Sequence, residues 1–185
     1  MTIGNAFGGD DECVNIYTGL QTAAHMENCD IILVAMGPGI TGTGTRYGFS
    51  SLEMGFYLDL AFRQGGQCFY IPRISFADKR DRHYGLSHHS LTLLGEILQS
   101  PVPLVLPILK REEQKYLHRQ LRNGNLPGKY PLSLFDGSRI RVAMDFYRLS
   151  VTTMGRGMGE DPAFFYAIGA AARKGLSQFC QRDGL

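Results

Sequence analysis

The sequence lacks several features that mark other classes of protein. Its four cysteines lie far apart and form no Cys-x-x-Cys pair, which excludes the usual zinc-ribbon and redox motifs. No apolar run approaches the ~18 residues that cross a membrane, and the first ten residues have neither the basic start nor the apolar stretch of a signal peptide. We therefore expect a cytoplasmic protein with reduced cysteines.

Charge of one sign is also scarce. The formal net charge is only +2, which does not favour nucleic acid as a partner. Arginine nevertheless outnumbers lysine by 14 to 5, and its flat fork of donors suits a carboxylate or a phosphate. Four arginines, Arg46, Arg80, Arg82 and Arg156, fall in glycine-rich or turn-like segments. We expect Arg80 and Arg82 to be exposed and to contribute little to stability.

The apolar residues that are present suffice for one domain over residues 1–185. At 44% hydrophobic content, surface scaling predicts that about 70% of the open chain's surface is buried. Short apolar runs, of which 31–36 is the clearest, alternate with helical patterns. Further strands are predicted at 68–71, 102–106, 131–135 and 150–153. This alternation predicts an α/β fold: a three-layer αβα sandwich around a mostly parallel, Rossmann-like sheet of about five or six strands.

Four loops have compositions that chain connection alone does not require. In a parallel sheet, the loops after the strands meet at one rim, where ligands bind. Each of these loops is rich in Gly, Arg, His or Asp and would reach that rim. They are residues 5–12, 37–50, 75–89 and 154–159.

The second loop has the glycine spacing of a dinucleotide-binding turn. The following helix is predicted only from about residue 51, and no acidic residue ends the next strand, so NAD(P) is not favoured. Exposed backbone N–H groups and nearby hydroxyls suit an anion instead, the alternative being that the glycines only build turns. The candidate ligand-binding residues here are Gly37, Gly39, Gly42, Gly44, Thr45 and Arg46.

The third loop carries the strongest chemical signal. Asp78, Arg80, Arg82, His83, His88 and His89 lie within twelve residues. His88 and His89 fall in the first turn of a predicted helix capped by Ser87, where the helix dipole disfavours protonation. A neutral imidazole can accept a proton, bind a metal or donate to an oxyanion. We expect His83 or His88 to act as acid–base catalyst, oriented by Asp78, with metal binding and plain packing as the alternatives.

Other residues complete the candidate site. A divalent metal is the one cofactor that the residues suggest, although their spacing matches no standard zinc pattern. Its candidate ligands are Asp10, Glu12, Asp78 and His83. The further candidates for binding an anion are Ser75, Arg80, Arg82, His89, Gly155 and Arg156.

Four stretches of the chain resemble a known bacterial family. They are GNAFGGDDECVNIYT (4–18), MGPGITGTGTRYGFSSLE (36–53), PRISFADKRDRHYGLSHHSLT (72–92) and TTMGRGMGEDPAFF (152–165). All four are similar, in this order, to the domain of unknown function 3866. Its members are about twice as long, so the resemblance implies that this chain is the C-terminal half. The family has no established activity, and the resemblance therefore supports a site without naming its chemistry.

Together these observations predict an enzyme-like domain that binds a small phosphorylated or carboxylated molecule. Hydrolysis or group transfer is the expected reaction class. The alternatives are a non-catalytic ligand-sensing or assembly domain and a metal-dependent hydrolase. Nucleic acid and membrane are not expected as partners, and a homodimer stays open.

Overall fold

A computed structural model describes residues 1–37, 39–124, 126 and 128–182. In that part of the chain the fold is mixed α/β, with six α-helices and three two-stranded sheets. The helices are α1 (Ile16–Gln21), α2 (Glu53–Arg63), α3 (His88–Thr92), α4 (Arg111–Asn123), α5 (Ile140–Phe146) and α6 (Pro162–Arg182). The strands are β1 (Thr2–Ile3), β2 (Glu12–Cys13), β3 (Ile74–Ser75), β4 (Gly85–Leu86), β5 (Leu104–Pro107) and β6 (Leu132–Phe135).

Two short helices begin at side-chain caps and continue into a wider turn. Asn15 accepts a hydrogen bond from the backbone N–H of Thr18 at the start of α1, and Ser87 accepts one from His89 at the start of α3. Such caps satisfy N–H groups that have no partner inside the helix. Each helix then continues as one π-helical turn, Thr22–Met26 after α1 and Leu93–Ile97 after α3.

The β5–β6 pair forms the centre of the fold. The two strands are parallel, with Leu104 opposite Leu132. On the other edge of β5, Tyr70 forms a parallel β-bridge with Leu104. All four residues of β5 are buried, as expected for a strand covered on both faces. Helix α6 packs against β5, and α4 contributes Leu117 and Leu121 to the same core.

The apolar run 31–36 differs from its prediction. Its residues are in irregular structure, and Ile31 and Leu33 are 60% and 85% exposed. A strand exists only where its backbone groups find a partner, and no other described segment pairs with this run. The predicted strand 150–153 is likewise irregular, apart from a single bridge between Thr153 and Arg156.

The described sheets are also shorter than the predicted one. Strands β3 and β4 pair antiparallel, so the segment between them is a hairpin loop rather than a crossover into a helix. The structure therefore shows the mixed α/β class with short two-stranded sheets. None of the described helices combines the length and the apolar content that a membrane span requires.

Candidate functional site

The hairpin β3–β4 carries the third loop, and helix α4 holds it in place. The side chain of Gln120 accepts a hydrogen bond from Leu86 N at 2.8 Å and donates to the carbonyl oxygens of Tyr84 and Leu86. Gly85 makes this approach possible, because it has a positive φ of 73° and a Cβ there would collide with Tyr116 and Gln120. The loop is thus anchored by a helix that follows it in the sequence.

A buried serine joins this loop to the start of α6. Ser75 Oγ accepts a hydrogen bond from Asp78 N at 3.0 Å and donates to Asp161 Oδ2 at 2.6 Å. Asp161 directly precedes Pro162, the first residue of α6. Because Ser75 and Asp161 are both fully buried, this bond fixes the hairpin relative to the helix.

Three guanidinium groups surround the buried carboxylate of Asp78. Its Oδ2 accepts hydrogen bonds from Arg73 Nη2 at 3.0 Å and Arg80 Nη2 at 2.9 Å, and its Oδ1 accepts one from Arg80 Nε at 3.0 Å. Arg156 Nη2 lies 3.6 Å from the same Oδ2. The hydrogen bonds from Arg80, supported by Arg73, hold the pKa of Asp78 far below its usual range, although burial acts in the opposite direction.

This geometry corrects the role predicted for Asp78. We expected its carboxylate to orient His83, but its oxygens are occupied by arginine donors. His83 Nδ1 instead forms a hydrogen bond with Ser87 Oγ at 2.8 Å. Asp78 is therefore paired with the arginines, and the side chain that is hydrogen-bonded to His83 Nδ1 is Ser87.

A tight turn brings Arg156 into the same cluster. Thr153 and Arg156 exchange two backbone hydrogen bonds, at 2.9 and 3.0 Å, and both residues between them, Met154 and Gly155, have positive φ. Two such residues define a type I′ turn. Arg156 Nε then donates to Asp161 Oδ2 at 3.3 Å. Gly155, predicted as a ligand-binding residue, has a conformational role in this turn.

Three histidines lie beside the arginines. The ring centroids are 4.9 Å apart for His83 and His88, 5.2 Å for His83 and His89, and 4.1 Å for His88 and His89. Burial lowers the pKa of His83 and of His89 to about 4, with further lowering by the positive charges of Arg73 and Arg80. Burial also lowers the pKa of His88. His83 and His89 are therefore neutral at pH 7. The sequence predicted neutral imidazoles at His88 and His89 from the helix dipole, but burial is the first cause of the lowered pKa at each of them.

The glycine loop approaches the histidines at Gly42 and Phe49, which form a β-bridge with each other. Phe49 stacks on His89 with ring centroids 4.2 Å apart, and a Cβ on Gly42 would lie 3.8 Å from His89 Nε2. Residues 37 and 39–47 are exposed, including Gly37, Gly39, Gly44 and Thr45. Arg46, predicted to clamp the anion, donates to Glu96 at 3.0 Å and is 68% exposed.

The candidate metal ligands are not brought together. Glu12 accepts a hydrogen bond from Gly8 N within the β1–β2 unit, Asp10 is exposed, and the arginines occupy Asp78. Among the described residues, no group of three or more His, Cys, Asp or Glu is arranged to hold a metal ion.

Arg82, predicted to bind the anion, is exposed, although its charge contributes to the lowered pKa values of His88 and His89.

We call the assembled set the arginine–histidine cluster. Its members are Arg73, Ser75, Asp78, Arg80, His83, His88, His89, Arg156 and Asp161. Three guanidiniums against two carboxylates give it a formal charge of +1. Sequence reasoning missed Arg73, two residues after the predicted strand 68–71, and Asp161, directly before Pro162 at the start of α6. Their position beside a strand end and a helix N-terminus was the available signal.

The fold and the cluster together define an α/β domain with a buried, positively charged polar site. The chain belongs to the family described as protein of unknown function (DUF3866), whose family model matches residues 1–172 of the 185. The resemblance drawn from the four sequence stretches is thereby confirmed. Neither a curated protein nor a solved structure matches the chain.

Proposed function

We propose that this domain binds a small phosphorylated or carboxylated anion at the arginine–histidine cluster and acts on it as a hydrolase or group transferase. The observation that carries the proposal is the convergence of Arg73, Arg80 and Arg156 on the single carboxylate of Asp78. Asp78 and Asp161 together neutralise only two of the three guanidinium charges, and guanidinium forks bind carboxylates and phosphates with two parallel hydrogen bonds.

Unused donors in the cluster support the same proposal. Arg73 Nη1 and Arg156 Nη2 are buried and have no hydrogen-bond acceptor among the described residues. Buried donors without a partner are rare in folded proteins, because each costs about 1–3 kcal/mol. An anionic oxygen next to these two atoms removes that cost.

The neutral histidines supply the proposed proton transfer. His88 Nδ1 is buried and has no hydrogen-bond partner among the described residues, whereas His83 Nδ1 is engaged by Ser87. A neutral imidazole with a free nitrogen is a competent general base. We assign that role to His88. Ser87 is not assigned as nucleophile, because its Oγ is fully buried and caps α3.

Two wider predictions accompany this function. The Rossmann-like, three-layer sheet stays a prediction, and the parallel bridge between Tyr70 and Leu104 supports it by giving β5 a neighbour on each side. A cytoplasmic location stays a prediction from the sequence. The binding proposal depends on neither of them.

Calorimetric titration with inorganic phosphate and with citrate tests the function. We expect both anions to bind, and Arg156→Gln to weaken binding by about tenfold or more, since it removes a charged donor. The control is Arg111→Gln, an exposed arginine at the start of α4, which should bind like the parent. No binding of either anion would contradict the proposal. Binding without turnover of phosphate or carboxylate esters would favour the ligand-sensing alternative.

A further inference from the structure

The arginine–histidine cluster contains an unused acceptor as well as unused donors. Asp161 is 1% exposed, and its Oδ2 is engaged by Ser75 and Arg156. Its other oxygen, Oδ1, is buried and has no hydrogen-bond partner among the described residues. A simple anion satisfies the guanidinium donors but brings a like charge towards this oxygen.

The unused donor and acceptor lie close to one another. Arg156 reaches Asp161 Oδ2 with Nε at 3.3 Å and lies 3.6 Å from Asp78 Oδ2 with Nη2. The unused Nη2 and the unused Asp161 Oδ1 are therefore separated by at most one guanidinium, one hydrogen bond of 3.3 Å and one carboxyl group. A molecule of only a few heavy atoms spans them.

We propose that the ligand of this site carries a hydroxyl group close to its anionic group, as in a 2-hydroxy acid or a phosphorylated polyol. The anionic oxygens accept from Arg73 and Arg156, and the hydroxyl donates to Asp161 Oδ1. This inference rests on the proposed anion-binding function and narrows its substrate class. The shared chemistry is an acceptor-rich charged group beside a hydrogen-bond donor.

Matched pairs of small molecules isolate the contribution of the hydroxyl. L-lactate and propionate are carboxylates that differ by one hydroxyl. In the same way, sn-glycerol 3-phosphate and 1,3-propanediol phosphate are phosphates that differ by one hydroxyl. Hydrogen bonds to charged groups are strong, so the more hydroxylated member of at least one pair should bind about 10- to 100-fold tighter by calorimetry. The pair that binds more tightly identifies the charged group.

Asp161→Asn tests which residue reads the hydroxyl. The amide keeps one oxygen for Ser75 and Arg156 but places an NH₂ group where Oδ1 stands, so a charge-assisted bond is lost and the preference should fall several-fold. Glu160→Gln, the same change at the neighbouring exposed carboxylate, should leave the preference unchanged. The wild-type comparison requires no variant and holds even if Asp161→Asn does not fold.

Three outcomes are distinguishable. A hydroxyl preference that depends on Asp161 supports the inference. Equal binding of the more and the less hydroxylated member in both pairs overturns it but leaves the anion site standing. That result is expected if a single water molecule bridges Asp161 and the arginines. Failure of all four compounds to bind, together with phosphate and citrate, overturns the proposed function as well.

Discussion

The arginine–histidine cluster and the exposed part of the glycine loop, residues 39–47, look alike in the sequence but differ in the fold. Both combine arginine with glycine or turn residues after an apolar run. In the cluster, each arginine donates to a buried carboxylate, whereas Arg46 donates to Glu96 at the surface. Composition therefore predicts that a loop is polar. A site forms only where distant segments of the chain supply buried partners for its side chains.

The largest expected effect on stability comes from removing Asp78, the buried carboxylate of the cluster. Asp78→Ala leaves Arg73, Arg80 and Arg156 without their buried counter-charge, so we expect the free energy of unfolding to fall by about 3–5 kcal/mol. Glu96→Ala removes the equivalent partner of exposed Arg46 and should change stability little. Urea unfolding of both variants measures the contrast. Equal losses would show that the two regions are alike.

Acidification should destabilise the protein through the buried histidines of the cluster. In the folded state the pKa of His83 and of His89 is about 4, against 6.5 for an unperturbed histidine. The unfolded chain therefore binds more protons between these values, and stability falls as the pH drops from about 6.5 towards 4. The variant His83→Gln/His89→Gln should show a flatter profile of urea midpoint against pH. A parent profile that is flat over this range would contradict the assigned burial of the rings.

The Asp78 carboxylate acts at lower pH, because its folded pKa lies below its ordinary value of 3.8. The stability that it contributes is present above that value and is lost as the pH falls below it.

The smallest expected difference in stability is between variants of Arg80 and Arg82, for which the sequence predicted the same exposed position. Arg80 makes three hydrogen bonds to Asp78 through its backbone and side chain, whereas Arg82 is exposed. Arg80→Gln should therefore lower the free energy of unfolding by about 1–2 kcal/mol, and Arg82→Gln by less than about 0.5 kcal/mol. Thermal unfolding distinguishes them. If the two variants melt at the same temperature, the hydrogen bonds from Arg80 to Asp78 do not stabilise the fold.

Local chemistry was enough to predict several elements. The amphipathic pattern of residues 111–123, followed by Gly124, predicts helix α4, which the structure shows from Arg111 to Asn123. Helix α3 begins at His88 after the Ser87 cap, as predicted. Both boundaries depend on contacts within a few residues, such as caps and chain-terminating glycines. The same holds for the third loop, whose unusual density of charged and imidazole side chains marks it without knowledge of the fold.

Pairings between distant segments were not predictable in this way. The bond from Ser75 to Asp161 joins residues 86 positions apart, and no local pattern announces it. Likewise, the apolar run 31–36 has the composition of a strand but finds no strand partner among the described residues. Strand formation is decided by partners elsewhere in the chain, which a single sequence does not reveal.

The Gln120 contact with the β3–β4 hairpin has a consequence for local opening. A hairpin with two residue pairs is too small to resist solvent by itself. The Leu86 amide, however, donates to a side chain of α4, a helix of 13 residues. Its hydrogen should exchange with deuterium only when α4 separates from the hairpin, so the loop gains the slow exchange of the helix. The cluster is thus held by a strand too short to form alone and by a helix that contributes no residue to it.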